Sequence, residues 1–437
     1  MLNDKKVIKA WCMYDWANSV YSLTITSAIF PIYYQAVAVN ANGGDVVEFF
    51  GMEIVNSVLY SYALSASFLL VAIILPVLSG VADYAGKKKL FLKSFMFIGA
   101  FSCIGLFFFT GENIEWGIFC SIFASVGYSG SLVFYNAFLS EIATEDNRDY
   151  VSAKGYSYGY MGGVILLVIN LVVIEMHDAF GLSNEGVASR VAFLTVGLWW
   201  IGFSLYALAK LPNNVHHRKP SGNFLTNGYK ELLNVWDQLK EMGDLRKYLL
   251  AFFFYNMGVQ TMMYLAATFG SKELKLEASE LIMTVLLIQF VAIAGSYLFA
   301  FISKKRGNIK SLLLMVIIWI VCSLFAYFIK DEVEFFALAS VVGLVMGGVQ
   351  SLSRATYSKI MPQDTMDTAS FFSFYDVTFN LSIVIGTFAF GYIEQITGSM
   401  RNSTLVLASF FIIGMVFLSQ VKLKNASAQT SRVQAEN

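Results

Sequence analysis

The chain of 437 residues is 57% hydrophobic and only 14% charged, carries 39 Phe, and sets 30 basic residues against 30 acidic ones. These proportions exclude a soluble globular domain and mark an integral membrane protein. A hydrocarbon core about 30 Å thick takes roughly 20 apolar residues per helix, and continuous runs of that length exclude the alternating pattern of a membrane β-barrel.

Read in chain order, the apolar stretches predict spans at 8–38, 54–81, 90–110, 116–142, 151–175 and 189–210, then at 247–269, 280–302, 311–329, 334–360, 369–395 and 402–421. About twelve helices put both termini on one side. The first stretch is too long and too polar to be a cleaved signal peptide. Lys5, Lys6 and Lys9, then Lys87, Lys88, Lys89 and Lys93, the basic residues of the central loop, and Lys304, Lys305, Arg306 and Lys310 all fall on the side of the termini. Only Arg190, Lys272, Lys275, Lys330 and Arg401 fall opposite, so the rule that basic loops stay inside predicts cytoplasmic termini. The expected organisation is an N-terminal six-helix half (1–210), a cytoplasmic linker (211–246), a C-terminal six-helix half (247–421) and a cytoplasmic tail (422–437).

Span 1 contains YDWANSVYSLTITSAIFPIYY, which is apolar enough to enter a bilayer yet carries an acid near its front end. A charge at the centre of a membrane helix costs roughly 2.5–3.5 kcal/mol, so Asp15 is either hydrated near the mouth or orients helix 1, or it has work in a cavity. Tyr14, Asn18 and Tyr21 share one helix face beside it, and together they would take a proton or hold the amine of a substrate. In span 5, GYSYG (Gly155 to Gly159) fits the pattern of a serine hydrolase elbow, but that elbow needs a strand-to-helix turn and this stretch is predicted helical. Gly155, Gly159 and Gly163 read instead as small-residue steps for close helix packing, as do Gly343 and Gly347 in span 10. Cys12, Cys103, Cys120 and Cys322 form no C-x-x-C, His177, His216 and His217 all fall in loops, and no phosphate-binding loop occurs. No enzymatic activity, metal or cofactor is expected.

In the central loop, Leu225, Tyr229, Leu232, Leu233, Trp236 and Leu239 recur at helical spacing among charges, which predicts an amphipathic helix on the cytoplasmic membrane face, or a regulatory surface. On span 7, Asn256, Gln260 and Tyr264 form one polar stripe, suited to helix packing or to a small zwitterionic or hydroxylated solute. Arg354 on span 10 and Asp376 on span 11 each lie roughly 10 Å inside the cytoplasmic boundary at 1.5 Å per residue, and are expected to pair, with Gln350, Tyr375 and Asn380 beside them. Protonation of Asp376 would open that pair. An offset of 218 residues aligns SEIATEDNRDYVS with SKIMPQDTMDTAS, places Asn136 opposite Arg354, and points to an internal repeat; Tyr14-Asp15 against Tyr255-Asn256 is a second, shorter match.

SGVADYAGKKK (Ser79 to Lys89) resembles the loop 2–3 signature of the major facilitator superfamily: Asp83, Gly86, Lys87 and Lys88 match, and Ser79 stands where Gly is usual. An acid there can meet a helix N-terminus of the other half, and the lysines can meet acids nearby, in one conformation only. The corresponding AFISKKRGNIK lacks the acid, so no matching second latch is expected. Glu141 and Arg148 are assigned to the same cytoplasmic gate. YDWANS, SEIATEDNRDYVSAKGYSYGYMGG and GGVQSLSRATYSKIMPQDTMDTASFFSFYDVTFN further resemble the unknown major facilitator branch, bacterial permeases related to the fungal autophagy-related vacuolar exporter of amino acids.

The expectation is an all-α integral membrane protein of major facilitator fold in two pseudo-symmetric six-helix halves, a secondary transporter working by alternating access. The resemblance implies an amino acid or related small metabolite as cargo, exported, with proton coupling through Asp15 and Asp376. A sugar or lipid-linked cargo and a non-transporting receptor are the other readings. The expected partners are a small-molecule substrate, protons and membrane lipid, with no nucleic acid, and the chain is expected to act as a monomer in a bacterial cytoplasmic membrane.

Overall fold

The structure, a computed structural model, describes residues 2–44, 46–213 and 223–423. Among them twelve helices are long and apolar enough to cross a membrane: Lys5–Val39, Val58–Ala85, Lys88–Phe108, Ile114–Ile142, Glu145–Glu175 and Glu185–Lys210, then Gly243–Ala266, Glu280–Arg306, Asn308–Phe328, Glu332–Ile360, Thr368–Thr397 and Met400–Ser419. They are spans 1 to 12 below. Several start several residues before the apolar run does, as span 5 does at Glu145. There the polar first turn, with Arg148 and Asp149, bonds to other parts of the bundle rather than to lipid, so hydropathy alone places the boundary too late.

Local chemistry sets the helix ends. Asp4 caps span 1 by accepting from the backbone N–H of Lys6 and Val7, and Asn184 and Asp331 cap spans 6 and 10 in the same way. Span 2 stops at Gly86, whose φ of +64° is the left-handed value that glycine adopts without strain. The next N–H, of Lys87, returns to Ala82 O at 2.9 Å, and this tight stop leads directly into span 3. Span 1 is not uniform: Tyr21–Ala28 forms a wider π-helical stretch before the α-helix resumes. Pro31 has no N–H to offer Ser27, and Ser27 Oγ bonds back to Ser22 O at 3.0 Å.

The packing repeats with a period of six spans. In the first six, span 1 packs on spans 5 and 6, span 3 on 4 and 6, and span 2 on 4; in the last six, span 7 packs on 11 and 12, span 9 on 10 and 12, and span 8 on 10. The two groups meet through spans 2 and 11, 5 and 8, 5 and 10, and 4 and 11, a set that also maps onto itself under the exchange of halves. The glycine steps act where expected. A Cβ on Gly155 would lie 2.8 Å from the Trp11 ring of span 1, and one on Gly343 would lie 2.7 Å from the carbonyl of Ile288 on span 8. A Cβ on Gly347 would fall on the carbonyl of Ala292, whereas Gly391 has open space around it. Gly347→Ala is therefore expected to destabilise the protein by about 1–3 kcal/mol through overpacking. Gly391→Ala should leave the melting temperature unchanged or raise it, and equal behaviour of the two in a thermal melt would contradict this packing.

Two features differ from expectation. Between spans 1 and 2, Val46–Phe49 and Met52–Val55 pair as an antiparallel hairpin, with Phe50 and Gly51 both at positive φ in its turn. Second, the amphipathic helix of the connection, Phe224–Glu241, does not offer its whole apolar face to a membrane surface. Leu232, Val235 and Leu239 are buried, Gly228 sits against Gly80 of span 2, and the Trp236 ring lies 5.6 Å from that of Phe374 on span 11. Tyr229 and Leu233 remain exposed. His216, His217, Arg218, Lys219 and most of the 422–437 tail lie outside the described residues.

Candidate functional site

Asn3, Asp83 and Lys422 lie at one end of the bundle, the end where the described residues begin and finish, called the termini end below. Here the halves are joined by two ionic latches. In the first, Asp83 at the close of span 2 accepts the backbone N–H of Ser370 at 2.7 Å, its hydroxyl at 2.8 Å and the N–H of Ala369 at 3.3 Å. The two N–H groups are orphan donors at the N-terminus of span 11, where the helix dipole also favours an anion. Lys88 pairs with Glu141 and donates to Thr368 Oγ1 at 2.7 Å. Lys87 is exposed, so of the two matching lysines only Lys88 reaches across. Arg148 donates to Ser358 O and to Gln363 Oε1, both at 2.7 Å.

The second latch was not expected, and its acid stands on the opposite partner. Asp149, in the first turn of span 5, accepts from Ser303 Oγ and Asn308 Nδ2, each at 2.8 Å, and pairs with Lys359 at 2.8 Å. The carboxylate has moved from the end of span 8 to the start of span 5. The contact therefore survives although AFISKKRGNIK has no acid. The signal was available in the repeat alignment, which matches Asp149 to Asp367.

Above the latches lies a cavity of about 190 Å³ between the halves. Asp15, Asn136, Gln260, Tyr264, Gln350, Arg354, Tyr375 and Asp376 line it. Its floor is an ion pair, but not the expected one. Arg354 pairs with Asp15 of span 1 at 3.3 Å, not with Asp376. Depth along the helices was legible from residue counts, whereas the direction of the side chain was not: Arg354 points across the interface, into the first half. Its Nε donates to Ser152 Oγ at 3.0 Å; Nη1 donates to Asp15 Oδ2 at 3.4 Å and Asn136 Oδ1 at 3.3 Å; Nη2 donates to Asp15 Oδ2 at 3.3 Å and Ser152 O at 3.0 Å. All five guanidinium N–H groups thus have acceptors. The guanidinium carbon also lies 4.2 Å from the Tyr156 ring centre and 4.7 Å from that of Trp11, within cation–π range. Tyr135 completes the group by donating to Asp15 Oδ2 at 2.7 Å. Ser152, Tyr135, Trp11 and Tyr156 were not singled out in the sequence, although Tyr135 precedes Asn136 and Ser152 is a matched position of the repeat.

Tyr14, Asn18 and Asn256 do not line the cavity. Tyr14 is fully buried and stacks on Tyr135, and Asn18 is buried on the same face of span 1, inside the first six spans. The cavity face of span 1 is instead Asp15, Ser19 and Ser22, one residue further round the helix. Asn256 accepts from Gln260 and donates to Ser382 at 2.6 Å, a packing contact between spans 7 and 11. Tyr21 and Asn380 line a smaller pocket of about 30 Å³ that shares Ser22, Tyr128, Tyr264 and Asp376 with the central cavity. The short match of Tyr14-Asp15 to Tyr255-Asn256 has a counterpart in space. Tyr14 stacks on Tyr135, Tyr255 hydrogen-bonds Ser353 at 2.7 Å, and 135 and 353 are matched positions of the repeat.

Hydrogen bonds between the halves form a ladder from the latches inward: Ser152 to Ser351 O, Ser157 to Ser296 at 2.7 Å, and Tyr160 to Gln350 at 2.8 Å. Tyr160 stands about 18 Å along span 5 from Arg148. Beyond its level no hydrogen bond between described residues joins the halves. The cavity is thus sealed by polar contacts toward the termini and not toward the opposite end.

The family model described as vacuole effluxer Atg22 like matches residues 3–431. An uncharacterized MFS-type transporter, YxiO of Bacillus subtilis, is 29% identical over 414 residues, 94% of each chain. Autophagy-related protein 22 of Pyricularia oryzae is 23% identical over 510 residues, covering 92% of this chain and 74% of that protein. Among solved structures, the major facilitator transporter FucP in its outward conformation superposes with a TM-score of 0.71 at 13% identity over 96% of this chain and 98% of that one. A bacterial homologue of the iron transporter ferroportin, in an outward-facing state, gives 0.69 at 11% identity over 96% and 99%.

Proposed function

The chain belongs to the vacuole effluxer Atg22-like family of major facilitator transporters, and from that premise we propose that it exports an amino acid or a related small metabolite by alternating access, driven by protons. The observation that carries this reading is the Arg354–Asp15 pair, which ties the two halves together on the floor of a solute-sized cavity. Buried intramembrane charges are costly and are kept where they move something. The basic residues gathered at the termini end, Lys5, Lys6, Lys9 and Lys87 among them, support reading it as the cytoplasmic end. The conformation described is then closed to the cytoplasm.

A proton entering from outside and neutralising Asp15 would leave Arg354 without its counter-charge. The tie across the floor weakens, the cytoplasmic latches open, and cargo enters from within; return of the proton to the cytoplasm restores the pair. Export is therefore expected to run faster when the outside is acid. Proteoliposomes loaded with a mixture of amino acids, dipeptides and sugars test this by mass spectrometry of what leaves, with and without a pH gradient. Selective release that responds to the gradient, and loses that response in the double variant Asp15→Asn with Arg354→Gln, is the expected result. Folded protein that releases nothing from the mixture would overturn it.

A further inference from the structure

We propose that Asp376 is the anchor for a positively charged amine on the cargo, and that Arg354 does not bind the cargo's carboxylate. The proposal rests on the transporter reading above and assigns the chemistry of its site. The cavity wall holds one cation and two acids: Arg354, Asp15 and Asp376. An arginine in a transporter cavity would ordinarily suggest an anionic solute, since a guanidinium matches a carboxylate in both charge and shape. Here that fork is filled. Its five N–H groups are given to Asp15, Asn136 and Ser152, and aromatic rings lie close to its charged carbon. A carboxylate would have to displace Asp15 to reach it.

Asp376 stands in the opposite condition. It is 5% exposed, lines the cavity, and its Oδ2 has no hydrogen-bond partner among the described residues. A carboxylate out of water with no counter-charge bound to it is unfavourable, which a cation arriving in the cavity would relieve. The surroundings suit an ammonium group. Asp376 lies where the central cavity meets the smaller pocket, and Ser22, Tyr128 and Tyr264 border both, supplying hydroxyl acceptors and aromatic faces. Gln260, Gln289 and Gln350 supply neutral donors elsewhere in the wall, sufficient to orient the rest of the solute without charge.

The test is ligand-dependent thermal stabilisation of the purified full chain with four matched probes: valine, valinamide, 3-methylbutanoate and 3-methylbutanamide. The first two carry the amine; the last two do not. Binding to the folded state raises the melting temperature by mass action. Valine and valinamide are expected to raise it, the two amine-free probes to leave it unmoved, Asp376→Asn to abolish the rise, and Asp376→Glu to retain part of it. A rise with 3-methylbutanoate equal to that with valine, an undiminished rise in Asp376→Asn, a rise with sodium salt alone and none with amines, or no rise with any probe would each overturn the proposal. If proteoliposomes release a solute that lacks an amine, the transporter reading stands and the amine anchor falls. If the amines bind and nothing is ever released, the anchor stands and the transporter reading falls.

Discussion

Asp15→Asn is expected to destabilise the protein by about 3–5 kcal/mol, the usual cost of removing one partner from a buried ion pair. The loss exceeds that of one hydrogen bond because Asp15 Oδ2 receives two guanidinium N–H groups and the Tyr135 hydroxyl together. Arg354, 2% exposed, would be left with only neutral acceptors. Arg354→Gln alone should be damaging for the complementary reason. The double variant Asp15→Asn with Arg354→Gln, which removes both charges and keeps hydrogen-bonding groups, should recover much of the stability. It should not recover proton-driven release, since the group proposed to take the proton is gone. Thermal melts of the three variants give the coupling energy directly. Additive single effects, each below about 1 kcal/mol, would mean that the pair is not the tie between the halves.

The second large effect is conformational. Asp83→Asn should open the termini end while leaving the helices intact. The carboxylate accepts three hydrogen bonds at the start of span 11, and bonds to a charged group contribute about 1.5–3 kcal/mol, so the equilibrium should shift by about ten- to a hundredfold. A cysteine at Ser22, which lines the cavity, reports the shift through labelling by an impermeant thiol reagent applied from either side of sealed vesicles. The four native cysteines are all buried, so background labelling is low. Labelling from the termini side should rise in Asp83→Asn and rise again when Asp149→Asn is added, because the two latches use separate elements. Unchanged labelling from both sides in the double variant would show that the latches do not hold this conformation.

How far the chain could be read without its structure depends on which dimension a residue's role uses. Hydropathy runs along the chain, so the twelve spans were legible. The Asp83 latch was legible as well, since an acid just before a left-handed Gly86 stop can only project at the end of its helix. Direction around a helix is a different matter. Tyr14, Asn18 and Tyr21 were correctly placed on one face, yet nothing in span 1 says whether that face or the one bearing Asp15 and Ser19 meets the cavity. Both carry polar groups. The same ambiguity misassigned the partner of Arg354, for which Asp376 lies at the right depth and Asp15 lies in the right direction. The role of Asp149 was not legible because the first latch carries its acid at the end of span 2, whereas the contact needs only opposite partners and the second carries its acid on span 5. The hairpin at Val46–Val55 left little trace, since two four-residue strands beside membrane helices are too short to show a period.

The central claim, that the halves must part at the termini end for cargo to move, is tested most directly by tying that end shut. With Asp83→Cys and Ser370→Cys in one chain, whose native side chains meet at 2.8 Å, oxidation would join spans 2 and 11 across the interface. Release from proteoliposomes is predicted to proceed while the thiols are reduced, stop on oxidation and resume on reduction. Release that continues at the same rate with the cross-link fully formed would contradict alternating access in this protein.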